Sequence, residues 1–234
     1  MIRFDEVSFG YPGAPTPTLA GISLEVPAGS VIAVVGRSGV GKSTLLRLAS
    51  GLDRPDRGTV DGGPCALLPQ HDALMPWRSA LGNAAVVARL EGAGRSDAEE
   101  QARALFRRFG LAGAEATPPR ELSGGMRRRV ALLRTALSRR PALLLDEPFG
   151  GLDAITRADL ATWLGELLST VRRSVHIVSH DIHEVLSIAD EVVVLAGRPA
   201  TIGLRVRPRE SGGAGTILAA LRTDAELDER TRGL

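Results

Sequence analysis

The sequence predicts an α/β fold: a mostly parallel sheet with helices on both faces, a small antiparallel β piece at the N-terminus and a helical insert in mid-chain. Three observations carry this. Short apolar runs at Val31–Val35, 142–145, 175–179 and 191–195 have the composition of buried strands. Helical patterns stand between them, and strands alternating with helices close into a parallel sheet. From 71 to 138 strand patterns vanish and helical ones take over. The expected organisation is one domain over 1–234, with its core in 1–70 and 139–207, a helical subdomain at 71–138 and a tail at 208–234.

Each element has its local reason. Residues 2–11 alternate loosely and end in the turn signal Gly10-Tyr11-Pro12-Gly13. A strand is expected at 22–26, and a buried one at Val31–Val35. After a glycine-rich loop comes a helix over about 42–52, with Leu45, Leu48 and Leu52 on one face and Gly51 at its end. Residues 66–68 read as a strand. Ser96-Asp97-Ala98-Glu99 is a capping box that opens a helix with Ala98, Ala102, Leu105, Phe106 and Phe109 on one side. Pro118-Pro119 breaks the chain. Ser123-Gly124-Gly125 starts a helix with Val130, Leu133 and Leu137 inward. A helix is expected at 182–189, and in the polar tail one short helix near 216–221. No internal repeat is present.

Composition excludes several classes. At 234 residues and 44% apolar, the chain is long and apolar enough for a sizeable core, and disorder is excluded as the dominant state. No apolar run approaches the ~20 residues that span a bilayer, and acids near the N-terminus argue against a signal peptide. The single cysteine, Cys65, excludes an intrachain disulfide framework and a cysteine-cluster metal site, and reads as a reduced thiol. Net charge is +2 although the pI is about 9.3. Lys42 is the only lysine, so few groups titrate between about pH 7 and 11 and a small positive charge persists. The high pI is therefore no sign of nucleic-acid binding. The clusters Arg107-Arg108, Arg127-Arg128-Arg129, Arg139-Arg140 and Arg172-Arg173 read as solvated faces.

Three motifs carry chemistry. Gly36-Arg37-Ser38-Gly39-Val40-Gly41-Lys42-Ser43 matches G-x-x-x-x-G-K-[ST] in full, after a buried strand and before a helix. Its glycines let consecutive N–H groups turn toward phosphate oxygens, and the helix N-terminus adds a positive dipole end. Lys42 supplies a charge to the β/γ-phosphates and the Ser43 hydroxyl can ligate Mg²⁺. Leu143-Leu144-Leu145-Asp146-Glu147-Pro148 reads as Walker B: Asp146 would hold Mg²⁺, and Glu147 can polarise a water as general base. Leu122-Ser123-Gly124-Gly125-Met126 places a hydroxyl and close backbone at a helix start, a second anion site. Ser179-His180-Asp181 are sequence neighbours without a strained nucleophile elbow, so no hydrolase triad is read there.

In this order and spacing, the motifs resemble those of ATP-binding cassette (ABC) ATPases over roughly residues 2–200. The resemblance implies a P-loop NTPase core in the ABC ATPase fold. It implies ATP and Mg²⁺ as cofactors, with Gly36, Ser38, Gly39, Gly41, Lys42, Ser43 and Thr44 cradling the nucleotide. Tyr11 resembles the A-loop aromatic that stacks on adenine, and Gln70 the Q-loop glutamine that senses Mg²⁺ and faces the membrane partner. Gly151-Leu152-Asp153 resembles the D-loop that crosses the dimer interface, and His180 the switch histidine that contacts the γ-phosphate. Plainer readings stand beside these: a turn at Tyr11, a strand-end polar residue at Gln70, a core histidine at His180. His71, His176 and His183 read as structural.

Gln70-His71-Asp72-Ala73-Leu74-Met75-Pro76-Trp77-Arg78, with Asn83, Met126 and Asp146-Glu147-Pro148-Phe149-Gly150-Gly151-Leu152-Asp153, narrows the resemblance to nitrate/sulfonate/taurine-type importers. Importers of thiamine pyrimidine precursors share these features. The resemblance implies a transmembrane permease, a second ATP-binding subunit in a homodimer or with a paralogue, an extracytoplasmic solute-binding protein and no nucleic acid. In the family, ATP on Lys42 and Ser43 of one subunit is closed over by Ser123 and Gly125 of the other. The expected place is the cytoplasmic face of the membrane. Leu74, Met75 and Trp77 beside Gln70 make 70–77 the expected seat of the permease's helix, unless all three are core. The chain departs from the family in a hairpin reduced to 59–65, and it ends soon after the last strand, so no C-terminal regulatory domain is expected. Two other readings remain: a soluble non-transport ABC ATPase, and an ATP-binding module that organises a membrane complex.

Overall fold

A computed structural model describes residues 1–170, 173–208 and 215–220. Arg172 and most of the expected tail lie outside them. The chain runs β1 (Ile2–Phe9), β2 (Leu19–Val26), β3 (Val31–Val35), α1 (Lys42–Ala49), β4 (Arg57–Asp61), β5 (Cys65–Leu68), α2 (Ala80–Leu90), α3 (Arg95–Arg108) and α4 (Gly124–Ala136). It continues with β6 (Ala142–Asp146), α5 (Ala154–Thr170), β7 (Ser174–Ser179), α6 (Ile182–Leu186), β8 (Glu191–Ala196) and β9 (Thr201–Val206). Residues 215–220 are helical, and Leu221, the last residue of the expected tail helix, lies outside the described set.

The main sheet has the order β5-β6-β7-β3-β8-β9. Its first five strands are parallel and β9 returns antiparallel to β8. Both faces are covered over the central strands, which explains why β3, β6 and β8 are apolar nearly throughout. Ala33 and Val35 of β3 enter a core shared with α2 to α6, while Ile32 and Val34 enter a second core with α1 and the N-terminal strands. Leu143 and Leu145 divide from Ala142 and Leu144 in the same way along β6. A second, antiparallel sheet has the order β2-β1-β4. The short stretch 59–65 serves two sheets: Thr59 to Asp61 pair with β1, and Cys65 already lies beside Ala142.

Several expectations shift. Helix α1 ends at Ala49, because Gly51 takes a φ of 72° and Leu52 N donates back to Arg47 O. Leu52 leaves the buried face of Leu45 and Leu48 and is 59% exposed. Helix α3 begins at Arg95 with Gly94 as its N-cap, so Ser96 is not a cap. Starting two residues earlier brings Arg95 into the helix one turn before Glu99, and their side chains meet at 2.9 Å. Helix α6 stops at Leu186 and turns carry the chain to Ala189. Strands β4 and β9 and helices α2 and α5 were not delimited in sequence. Two arginines read as solvated are not: Arg128 is 2% exposed, and the Arg173 guanidinium donates to the carbonyls of Ala136, Ser138 and Arg140.

Helix α2 matters for the loop before it. Ser79 caps the helix by accepting from Gly82 N. The fully buried Asn83 amide accepts from Met75 N and donates to Met75 O, Arg78 O and Ser79 O. The loop is thereby fixed with Leu74 and Met75 half-buried and Trp77 79% exposed.

His176 is fully buried in β7, edge-on to the Phe4 ring at 6.1 Å, with neither ring nitrogen hydrogen-bonded. Burial lowers its pKa from 6.5 to about 4. The folded state thus favours neutral imidazole, so its stability is complete above the unfolded value and is lost as pH falls through the interval between the two. We expect an acid-induced loss on the order of 3 kcal/mol from this residue. Urea unfolding at pH 7 and pH 4.5 should show a smaller drop for His176→Leu than for wild type; equal drops would assign the loss elsewhere.

Candidate functional site

Parallel strands deliver their C-terminal ends to one edge of the sheet, where ligands bind in such folds. The loop after β3 curls there. A Cβ on Gly36 would lie 2.7 Å from Leu195 O, and one on Gly41, at a φ of 117°, 2.8 Å from the Leu19 side chain. Gly36 is therefore required by the backbone beside it, and Gly41 chiefly by its own positive φ. Lys42 opens α1 and is 6% exposed. Its Nζ donates to Gly36 O at 2.9 Å and Arg37 O at 3.1 Å, and lies 3.9 Å from Glu147 Oε1. Burial pushes the Lys42 pKa down, and the Glu147 and Asp146 carboxylates oppose that. Thr44, also buried, meets Tyr11 OH at 3.2 Å.

Two acids stand at the end of β6. Asp146 Oδ1 accepts from Ser43 Oγ at 3.0 Å. Burial raises the Asp146 pKa, the Ser43 hydrogen bond lowers it, and the Glu147 charge raises it again. Glu147 adopts a φ of 48°, a left-handed conformation that a non-glycine residue enters only when held. Its N–H donates to Val178 O of β7. Its Oε2 lies 2.6 Å from His180 Nδ1 and accepts from His180 N at 3.3 Å.

These residues share a cleft of about 640 Å³. Gly36, Ser38, Lys42, Gln70, Glu147, Gly151 and His180 line it, as do Arg37, His71 and Gly150, which sequence reasoning had not assigned to a site. His71 adjoins Gln70, and that adjacency was the available signal. Gly39 lies in the same loop, and Ser43 and Asp146 face each other beside it. The donor set suits Mg²⁺: a hydroxyl and a carboxylate 3.0 Å apart are hard oxygen ligands, with the Gln70 amide on the same cleft.

The remaining candidates lie apart from this cleft. Ser123 caps α4, its Oγ accepting from Met126 N, and Ser123 and Gly124 are exposed. Asp153 caps α5, accepting from Thr156 N and Thr156 Oγ1, and these hydrogen bonds lower its pKa. Gly125 is buried against Thr156, where an added Cβ would fall 2.5 Å from Cγ2. The two helix starts are thus packed on each other, with the exposed groups of both outside the cleft. Arg128 was missed as well; with Ala131, Leu132 and Thr135 it forms a buried stripe at helical spacing, which was the signal for it.

Among known proteins, the family described as ABC transporter matches residues 19–150. The formylaminopyrimidine import ATP-binding protein ThiZ of Halalkalibacterium halodurans is 38% identical over 85% of this chain and 81% of its own length. The aliphatic sulfonates import ATP-binding protein SsuB 1 of Rhodococcus jostii is 41% identical over 92% and 89%. The taurine import ATP-binding protein TauB of Chromobacterium violaceum is 40% identical over 95% and 90%. A solved dimeric bacterial ABC transporter cassette superposes with a TM-score of 0.79 at 24% identity, over 90% of this chain and 100% of that one, a likeness of fold. No helix among the described residues is long and apolar enough to cross a membrane.

The Gly125–Thr156 contact predicts an overpacking penalty. Gly125→Ala should cost about 1–3 kcal/mol in chemical unfolding. Adding Thr156→Ser, which removes the methyl and keeps the hydroxyl for Asp153, should recover most of it. No recovery would trace the loss to the backbone instead.

Proposed function

The chain belongs to the ABC transporter family, and we propose that it is the ATP-hydrolysing subunit of an importer for a small solute of the sulfonate, taurine or nitrate kind. The observation that carries this reading is a division of labour. One cleft gathers Lys42, Gln70, Glu147 and His180, while the exposed Ser123 and Gly124 and the Asp153 loop stand outside it. A triphosphate carries several charges, and half of the groups suited to surround them face away from this chain's own cleft. A second copy supplies that half: Ser123, Gly124 and Gly125 close over the partner's nucleotide, and Asp153 lies at the joint. ATP is then the adhesive of a homodimer, and hydrolysis releases it.

Within one subunit, Lys42 exchanges the carbonyls of Gly36 and Arg37 for β/γ-phosphate oxygens, and the loop N–H groups join it. Tyr11, anchored by Thr44, offers its ring to adenine. Ser43 and Asp146 would hold Mg²⁺, with Gln70 near it; when bound, the ion neutralises phosphate charge. Glu147 polarises the attacking water, and His180, 2.6 Å from its carboxylate, orients it and reaches toward the γ-phosphate.

The reading puts this chain at the cytoplasmic face of the membrane, bound to a transmembrane permease that is fed by an extracytoplasmic solute-binding protein. We read 71–138 as the helical arm that meets the permease. Trp77 stands out from it, fixed by the Asn83 staple, and Arg134 ties the carbonyls of Asp72 and Ala73 to α4. A depression of about 410 Å³ beside it, lined by Leu52, Leu67 and Leu90, offers apolar surface to a short helix.

Two experiments test this. Glu147→Gln should bind ATP normally, lose turnover by on the order of 10²–10⁴, and dimerise on adding ATP, as read by light scattering. Turnover near wild type would remove Glu147 from the base role. Trp77→Ala should melt at the wild-type temperature and keep its ATPase, yet fail to co-purify with a co-expressed permease. Unchanged co-purification would move the docking surface elsewhere.

A further inference from the structure

The most heavily bonded side chain near the cleft belongs to a residue outside the phosphate loop. Arg128, on the second turn of α4, is 2% exposed. Its Nε donates to Pro148 O at 2.9 Å. Its Nη2 donates to Asp146 O at 2.8 Å and Glu147 O at 2.7 Å. Its Nη1 donates to Pro69 O at 3.0 Å, Gln70 O at 3.2 Å and Asp72 Oδ1 at 3.2 Å. Burial lowers its pKa and Asp72 opposes this, but a guanidinium remains charged in protein. Five carbonyls and one carboxylate thus satisfy a cation that would otherwise be costly to bury.

The acceptors fall in two groups. Pro69 and Gln70 follow β5, and Asp146, Glu147 and Pro148 end β6 and its turn. The strands are hydrogen-bonded to each other only as far as the Leu68–Leu145 pair. Beyond it the two backbones separate into loops, and Arg128 spans them. Glu147 holds its left-handed φ between its N–H bond to Val178 O and the bonds its carbonyl accepts from Arg128 and from Gly150 N. The same helix carries Ser123 at its N-cap.

We propose that Arg128 is a positioning residue, a strut that sets the distance between the Gln70 and Glu147 backbones and passes any movement of α4 to both. The proposal rests on the ATPase reading above and adds a physical link within it. A helix that shifts when Ser123 meets the partner's nucleotide displaces Gln70 and Glu147 together, because one rigid planar fork holds both. Lysine cannot replace it, having a single nitrogen with no fork.

The test uses the full chain with Arg128→Lys and Arg128→Met. Arg128 touches no atom of Lys42, Ser43 or Tyr11, so KM for ATP should stay within about threefold. Misplacing a catalytic group by about 1 Å costs on the order of 10² in rate, so kcat should fall by that order for Met and less for Lys. Amide exchange over 66–73 and 144–151 should rise together in Arg128→Lys, with exchange in α1 unchanged. A folded Arg128→Lys with wild-type kcat, or with exchange unchanged in both segments, overturns the strut. So does a loss in which KM rises while kcat and melting temperature fall in step. If Arg128→Met does not fold, the Lys variant decides alone. Absent turnover in wild type refutes the ATPase reading, and amide exchange then still judges the strut.

Discussion

The ammonium of Lys42 is the charge around which the site is built. It is the only lysine in the chain, it is buried, and the carbonyls of Gly36 and Arg37 replace its water. A buried cation must be held by specific dipoles, so the loop around it has little freedom. Leu195 of β8 and Leu19 of β2 fill the space a Cβ would take on Gly36 and Gly41. The loop therefore depends on a strand of the main sheet and a strand of the antiparallel one. With Glu147 3.9 Å away, the cation also needs β6 in place. A single charge ties together the start of α1, both sheets and the acid at the far side of the cleft.

Strand order explains why distant residues meet. β3 lies between β7 and β8, and β6 adjoins β7. The loop after β3, the acids after β6 and His180 after β7 emerge side by side at one edge, although 36, 147 and 180 are far apart in sequence. Gln70 joins them because β5 adds beyond β6. The stretch 62–64 makes this possible by carrying the chain from one sheet to the other in three residues.

The phosphate loop, the acids after β6 and the buried strands were legible because each is local: composition and order alone specify them. Helix α5 was legible in principle, since Leu160, Trp163, Leu164, Leu167 and Leu168 are buried at helical spacing. Strand β4 was not, because Arg57-Gly58-Thr59-Val60-Asp61 is polar and its pairing with β1 is long-range. The start of α3 was misread because the Arg95–Glu99 pair competes with the Ser96 cap, and propensity does not rank the two. Division of the site between two copies was implied by the resemblance; what the fold of one chain shows is that Ser123 and Gly124 are exposed and do not line the cleft.

The arginines show where sequence reasoning runs out most clearly. A run of Arg is normally a solvated face, and for Arg107, Arg108, Arg139 and Arg140 exposure agrees. Arg128, Arg134 and Arg173 instead collect carbonyls: loop ends for the first two, the C-terminus of α4 for the third. Helix and strand ends leave carbonyls without backbone partners, and a planar fork with five N–H donors serves several at once. Lysine would bring one nitrogen and a greater hydration loss. Composition is consistent with that requirement, since Lys42 is the only lysine and arginine supplies the other permanent side-chain cations. Which arginine turns inward is set by the stripe of its helix: position 128 faces the loops with Ala131 and Thr135, while 127 and 129 lie to either side. Charge clustering alone therefore misassigns such residues, and helical phase corrects the assignment.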